Sequence, residues 1–193
     1  MNKEIFRKIF NKHKNQLKNL NEKHEKLVIC FSAIPGSGKT YVSKILEKKY
    51  KAVRISNDNI RKIILRIFQD KTDDQRQTLL KEYFKQFLKH YNFQNKLIIL
   101  DFGIDRKYTW LFPLLKDGEY KIFIIKIKST PELIEKRVIK KLGILDQNYI
   151  KNIERWRKEF NEFENNYNSD IILENKEVIN LIPLFEKLDR LIL

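Results

Sequence analysis

Leu27-Val-Ile-Cys-Phe-Ser-Ala-Ile-Pro-Gly-Ser-Gly-Lys-Thr-Tyr41 opens on a strand-length apolar run, turns at two glycines and continues into a helical pattern. Leu27 to Ser32 reads as a buried strand, and Lys39 to Tyr50 as the helix that follows. Between them Ala33-Ile-Pro-Gly-Ser-Gly-Lys-Thr40 fits the spacing G-x-x-x-x-G-K-[ST] at Gly38, Lys39 and Thr40, with Ala33 standing where the first glycine is expected. Glycines at 36 and 38 let the backbone curl so that successive N–H groups converge on one concavity, the geometry that holds phosphate. The helix opening there adds the positive end of its dipole. Lys39 can reach the outer phosphates of a nucleotide, and the Thr40 hydroxyl can ligate Mg²⁺. The expected nucleotide-binding segment is therefore Pro35, Gly36, Ser37, Gly38, Lys39, Thr40 and Tyr41.

Strand and helix patterns alternate on both sides of this segment. Met1 to Lys26 reads as a basic amphipathic helix, with Ile5, Phe6, Ile9, Phe10, Leu17 and Leu20 at helical spacing, and is expected to pack on a domain spanning 27–193. Ala52 to Ser56 reads as a strand, Asn57 to Gln69 and Asp73 to Phe93 as helices, and Leu97 to Leu100 as a strand ending at Asp101. Arg106 to Lys116 reads as a helix bent or started by Pro113. Tyr120 to Lys128 reads as a strand with Ile122, Ile124 and Ile127 inward. Thr130-Pro131 caps a helix that stops at Gly143. A charged helix from Asp146 to Tyr167, a strand from Asp170 to Leu173 and a helix from Lys176 to Leu193 complete the chain. Continuous apolar strands separated by amphipathic helices imply an α/β fold, a five-stranded, mainly parallel sheet covered on both faces. On such a sheet ligands sit at the carboxyl ends of the strands.

With 193 residues, 42% of them hydrophobic, the chain has the makings of a globular core. A disordered or Pro/Gly-linker composition is excluded by only four prolines and five glycines. No run approaches a membrane span, and the single Cys30 has no internal disulfide partner, so a reducing cytoplasm is expected. The net charge of +15 has two readings. It can attract a polyanion such as a nucleic acid. Alternatively, the wealth of Lys, Asn and Ile reflects AT-rich codons, since the charge is spread along the whole chain.

Two acidic positions follow strands. Asp101, beside the loop strand in a parallel sheet, would face the metal. In Arg54-Ile-Ser-Asn-Asp58-Asn-Ile-Arg61, Asp58 and Arg61 lie three apart on a helical first turn. A carboxylate there can take a proton from an acceptor hydroxyl, and an arginine beside it can hold a phosphate through paired hydrogen bonds.

The glycine-rich loop, Ser56-Asn-Asp-Asn-Ile-Arg61, the strand ending at Asp101 and Ser129-Thr-Pro-Glu-Leu-Ile-Glu-Lys-Arg-Val-Ile-Lys-Lys141 together resemble the P-loop kinases of the polynucleotide 5′-hydroxyl-kinase type and their small-molecule relatives. The resemblance implies a phosphotransferase using ATP and Mg²⁺. It implies Asp58 as general base, Arg61 as the contact to substrate phosphate, Asp101 in the metal site beside Thr40, and a basic lid over the phosphates. On the lid the family's arginine position falls on Lys141, one turn after Arg137, and either cation can close the site. The acceptor expected first is the 5′-hydroxyl of a polynucleotide or oligonucleotide. A small metabolite or a sugar nucleotide acted on by a toxin-like kinase is the alternative, and a regulatory ATP- and nucleic-acid-binding module with weak ATPase activity is a third. Tyr83, Phe84, Phe87, Tyr91, Phe93, Trp110 and Trp156 could stack on bases, but helical spacing assigns Phe84, Phe87 and Tyr91 to the core.

Overall fold

The structure, a computed structural model, describes residues 26–58, 60–62, 72–90, 97–106, 108–144 and 147–192, together with 7 and 11. The helix expected over Met1 to Lys26 falls almost wholly outside the described residues, as do Tyr91, Phe93 and the stretch 63–69 of the helix expected from Asn57.

Five parallel strands form one sheet in the order β2-β3-β1-β4-β5. They are β1 (Leu27–Ser32), β2 (Val53–Ser56), β3 (Leu97–Gly103), β4 (Lys121–Lys128) and β5 (Ile171–Glu174). The helices bounded among the described residues are α1 (Lys39–Lys49), α2 (Asp73–His90), α3 (Leu111–Asp117), α4 (Pro131–Leu142), α5 (Gln147–Asn166) and α6 (Ile182–Ile192). The α/β expectation holds, and the sheet is parallel throughout.

Every residue of β1 and β3 is buried, because successive side chains point to opposite faces and both faces are covered. On one face Val28, Cys30, Ile55, Ile98 and Leu100 meet Leu80, Tyr83, Phe84 and Phe87 of α2 and Leu111 and Leu115 of α3. Tyr83, Phe84 and Phe87 are thus core residues, packed ring on ring at 5.6 Å. On the other face Leu27, Ile29, Phe31 and Ile99 meet Val42 and Leu46 of α1 and Leu184 and Leu188 of α6.

Double coverage also corrects the reading of β4. Phe123 to Ile127 are all buried while Ile122 is only half-buried, so the strand does not alternate inward and outward. Its interior position between β1 and β5 is the reason. Three boundaries move as well. β3 continues through Asp101 to Gly103, so Asp101 is paired within the sheet, opposite Ser56 of β2. α3 begins at Leu111 and not at Arg106, which lies in a turn, and Pro113 sits in its first turn, where a missing N–H is tolerated. α6 begins only at Ile182, leaving a turn closed by the bridge between Asn175 and Ile179. The α4 ends match their signals: the Thr130 hydroxyl accepts from Leu133 N at 3.3 Å, Pro131 is the first helical residue and Gly143 closes the helix at φ +82°.

The chain leaves β1 for β2 on the far side of β3 and later places β4 on the opposite side of β1. That reversal opens a crevice at the carboxyl ends of β1 and β3. No helix among the described residues is long and apolar enough to cross a membrane. Leu46 is fully buried between α1 and the sheet. Leu46→Ala should therefore cost about 2–5 kcal/mol, read as a lower urea midpoint at unchanged slope.

Candidate functional site

The turn after β1 is built from two left-handed glycines, Gly36 at φ +90° and Gly38 at φ +104°. α1 starts at Gly38 with no side-chain cap and no acid in its first turn. Its leading N–H groups and dipole are thereby left to an anion. The loop is clamped from behind. Asn175, 2% exposed, donates its amide to the Ser37 carbonyl at 2.5 Å, and Ser129 donates to the same oxygen at 3.4 Å. A side chain at position 38 would meet the Asn175 amide nitrogen at 2.6 Å, and one at position 36 would meet Ile134 at 3.0 Å. Ile134 and Val138 of α4, with Tyr149 of α5, form a third small core, against which Ile34, Ile153 and Trp156 pack.

Lys39 keeps part of its surface in solvent, but its ammonium group turns inward onto the Ala33 and Ile34 carbonyls at 2.9 and 3.1 Å. Desolvation there pulls its pKa down to about 7; Arg106 pushes the same way, while Asp105, Asp101 and Asp58 oppose the shift. Thr40 donates its hydroxyl to Asp101 Oδ1 at 3.2 Å. Asp101 Oδ2 accepts from Arg54 Nη1 at 2.6 Å, and Arg54 Nε donates to Glu47 at 2.6 Å. A hydroxyl and a carboxylate side by side are hard oxygen donors of the kind Mg²⁺ takes while keeping several waters, so the residues present fit that ion.

These groups face a cleft of about 770 Å³. Pro35, Gly36, Lys39, Thr40 and Asp101 line one part of it. Asp58 and Arg61, on a helical turn directly after β2, line another, with Asp74 and Gln77 of α2 beside them. Asn57 is 5% exposed and donates to the Tyr108 hydroxyl at 2.6 Å, which fixes the start of that turn. α5 contributes Asn152, Arg155, Trp156 and Glu159. Its far half is held to the sheet by the ion pair of Lys126 with Glu164 and by the Lys126 ammonium 5.3 Å from the Phe160 ring centre.

Eight of the residues singled out in the sequence therefore share one cleft: Pro35, Gly36, Lys39, Thr40, Asp58, Arg61, Asp101 and Trp156. Ser37 is buried behind the loop, and Tyr41 is 60% exposed at the start of α1. Arg137 is placed differently from expectation. Its Nη2 donates to Asn175 Oδ1 at 2.9 Å and to the Lys176 carbonyl at 3.4 Å, so it braces the clamp behind the loop. Lys141 belongs to the last turn of α4, and its side chain lies outside what is described.

Sequence reasoning missed Asp105 and Asn175, and of the cleft face of α5 it singled out only Trp156. Asp105 is 5% exposed and accepts from the Ala33 N–H at 3.3 Å; burial pushes its carboxyl above the usual range, against the pull of Arg106 and Lys39. Its signal is the second acid in Asp101-Phe-Gly-Ile-Asp105, legible once the strand is known to run to Gly103. For α5 the signal is Asn152, Arg155, Trp156 and Glu159 at spacings of three, one and three, a polar helix face carrying one indole.

No protein-family model matches the chain, and no curated protein matches it. Solved structures do. A chain of the PezAT chromosomal toxin–antitoxin system of Streptococcus pneumoniae superposes with a TM-score of 0.64 at 15% identity, covering 92% of this chain and 79% of that one. A shikimate kinase from Bacteroides thetaiotaomicron gives 0.53 at 15% identity, covering 77% and 85%. A gluconokinase from Sinorhizobium meliloti 1021 gives 0.50 at 12% identity, covering 77% and 82%. At these identities the likeness is one of fold: an all-parallel α/β sheet flanked by helices, shared with kinases.

Two measurements test the loop. Gly38→Ala should weaken ATP binding about tenfold or more, since a left-handed backbone and the Asn175 amide both resist a side chain. Phosphates would favour the charged form of Lys39, so ATP binding should take up a proton above pH 7, and affinity should fall as pH rises from 7. Titration calorimetry at pH 8 in buffers of different ionisation enthalpy reads that proton, and Lys39→Met should abolish it.

Proposed function

We propose that this chain is an ATP-dependent phosphotransferase that moves the γ-phosphoryl group to a hydroxyl of a small polar acceptor. The observation that carries this reading is that one cleft holds the phosphate loop, the Thr40–Asp101 oxygen pair and the Asp58–Arg61 turn. The triphosphate would lie along Gly36 to Thr40, with Lys39 leaving the loop carbonyls for the outer phosphates. Mg²⁺, held by Thr40 with Asp101 orienting it or its water, would offset the charge on the transferring group. Asp58 takes the acceptor's hydroxyl proton as that oxygen bonds to the γ-phosphorus; the bond to the bridging oxygen breaks and ADP leaves. Arg61 positions the acceptor.

Arg155, facing the same cleft from α5, is a further candidate for the lid cation beside Arg137 and Lys141. Arg137 would take that role only by releasing Asn175.

The lining favours a small acceptor over a polynucleotide. Among the described residues, Lys39, Arg61, Arg106 and Arg155 face Asp58, Asp74, Asp101 and Glu159, so the cleft is balanced although the chain carries +15. A polyphosphate strand gains affinity from excess cations along its path, and the described residues of this wall carry no such excess. The gluconokinase and shikimate kinase names fit small hydroxylated acceptors, which supports the same choice.

The test is transfer of γ-labelled phosphate from Mg-ATP to a panel of small polyhydroxylated metabolites and, separately, to DNA and RNA oligomers with 5′-hydroxyl ends. Label on a small acceptor, lost in Lys39→Ala, is expected. Label on the oligomers alone would transfer the assignment to a polynucleotide kinase, and ATP binding with no transfer would favour the regulatory module. Asp58→Asn should stop transfer and leave ATP affinity within about tenfold, or 1.4 kcal/mol, of the parent; a larger loss in equilibrium binding would make Asp58 structural.

A further inference from the structure

Asp101 is the most enclosed acid of the proposed metal site, with its side chain 2% exposed, and a carboxylate taken that far from water needs compensation. Thr40 supplies one hydrogen bond, to Oδ1. The other oxygen is met by Arg54, which reaches it from the neighbouring strand at 2.6 Å while its Nε bonds Glu47 of α1 at 2.6 Å. The Arg54 side chain is itself only 17% exposed. Arg54 also ties β2, β3 and α1 together through one planar group, since it stands on β2 opposite Ile99 and bonds Asp101 of β3 and Glu47 of α1.

We infer that Arg54 is a positioning residue for the metal: by occupying Asp101 Oδ2 it fixes the carboxylate so that only Oδ1, the oxygen already bonded to Thr40, is presented to the ion or its water. The inference rests on the phosphotransferase reading for the ion's presence, but it concerns this chain's own side chains. The fork geometry is the essential feature. Arginine presents Nε and Nη1 to two separate acids at once, whereas lysine, a single rotatable point charge, can satisfy one or share itself loosely between both. Glu47 has a corresponding part: its bond to Nε sets the guanidinium plane, so loss of Glu47 frees Arg54 to rotate about Asp101.

The experiment measures Mn²⁺ binding by electron paramagnetic resonance to the full chain saturated with a non-hydrolysable ATP analogue. Arg54→Lys, Arg54→Met and Glu47→Gln are compared with the parent, and metal-free binding of the analogue and thermal unfolding are followed for each. Arg54→Met should weaken Mn²⁺ about tenfold or more, as loss of a group orienting a metal ligand does elsewhere. Arg54→Lys should fall between it and the parent, Glu47→Gln should shift the same way, and metal-free affinity should stay within about twofold, a mark of action through the metal. If Arg54→Met does not fold, Arg54→Lys and Glu47→Gln carry the comparison. Mn²⁺ affinities unchanged in folded variants, with only the unfolding temperature lowered, would overturn the inference and leave Arg54 as a structural counter-ion. A parent protein that binds no Mn²⁺ with the analogue would overturn the phosphotransferase reading itself.

Discussion

Six consecutive buried residues in β1 impose the constraint from which the rest of the structure follows. A strand with no solvent face must have a parallel neighbour on each side and a helical layer above and below, and β3, β4, α1 and α2 provide them. The chain can leave such a strand only at its end, and there Gly36 and Gly38 turn it back so that α1 covers the sheet it has just left. The phosphate loop is the geometric consequence of returning a helix to a doubly buried strand. Its carbonyls are engaged from within the protein: Ser37 O by Asn175 and Ser129, and Ala33 O and Ile34 O by Lys39, with the Ser37 N–H also closing on Ile34 O.

Electrostatics at the carboxyl ends of the strands follow from the same burial. Asp101 and Asp105 are both nearly inaccessible, and they are compensated in different ways. Asp101 has a full counter-ion in Arg54 and a hydroxyl in Thr40. Asp105 has backbone N–H groups, that of Ala33 among them, with Arg106 and Lys39 nearby, and burial still holds its carboxyl above the usual range. Two acids four residues apart thus have separate surroundings, and the carboxyl pushed above its usual range by burial is that of Asp105.

The parts legible in the sequence were those written locally. The loop, the strand before it, the Thr130-Pro131 cap and the Gly143 stop each depend on residues within a few positions of one another. Arg54, Asn175 and the α5 face depend on distance in the chain folding to zero. Arg54 is 47 residues from Asp101 and Asn175 is 138 from Ser37, and no periodicity announces either contact. Arg137 shows the same limit from the other side. Helical spacing puts it on the face of Lys141, but which way that face points is decided by Ile134 and Val138 docking on Gly36. The strand boundary at Asp101 misled for a related reason: a carboxylate normally ends an apolar run, and only a guanidinium from the next strand lets the sheet continue past it.

The strands shorten toward the rims of the sheet: β1, β3 and β4 have six, seven and eight residues, while β2 and β5 have four each. A four-residue rim exposes few unpaired N–H and C=O groups, too short a template for another chain to zip onto. The chain is rich in β-branched and aromatic residues, which makes it an aggregation hazard whenever a helix lifts off. The taper confines that hazard to the interior strands, which are already paired on both sides. Transient loosening of the outer helices can then be survived in a crowded solution without the molecules stitching together edge to edge.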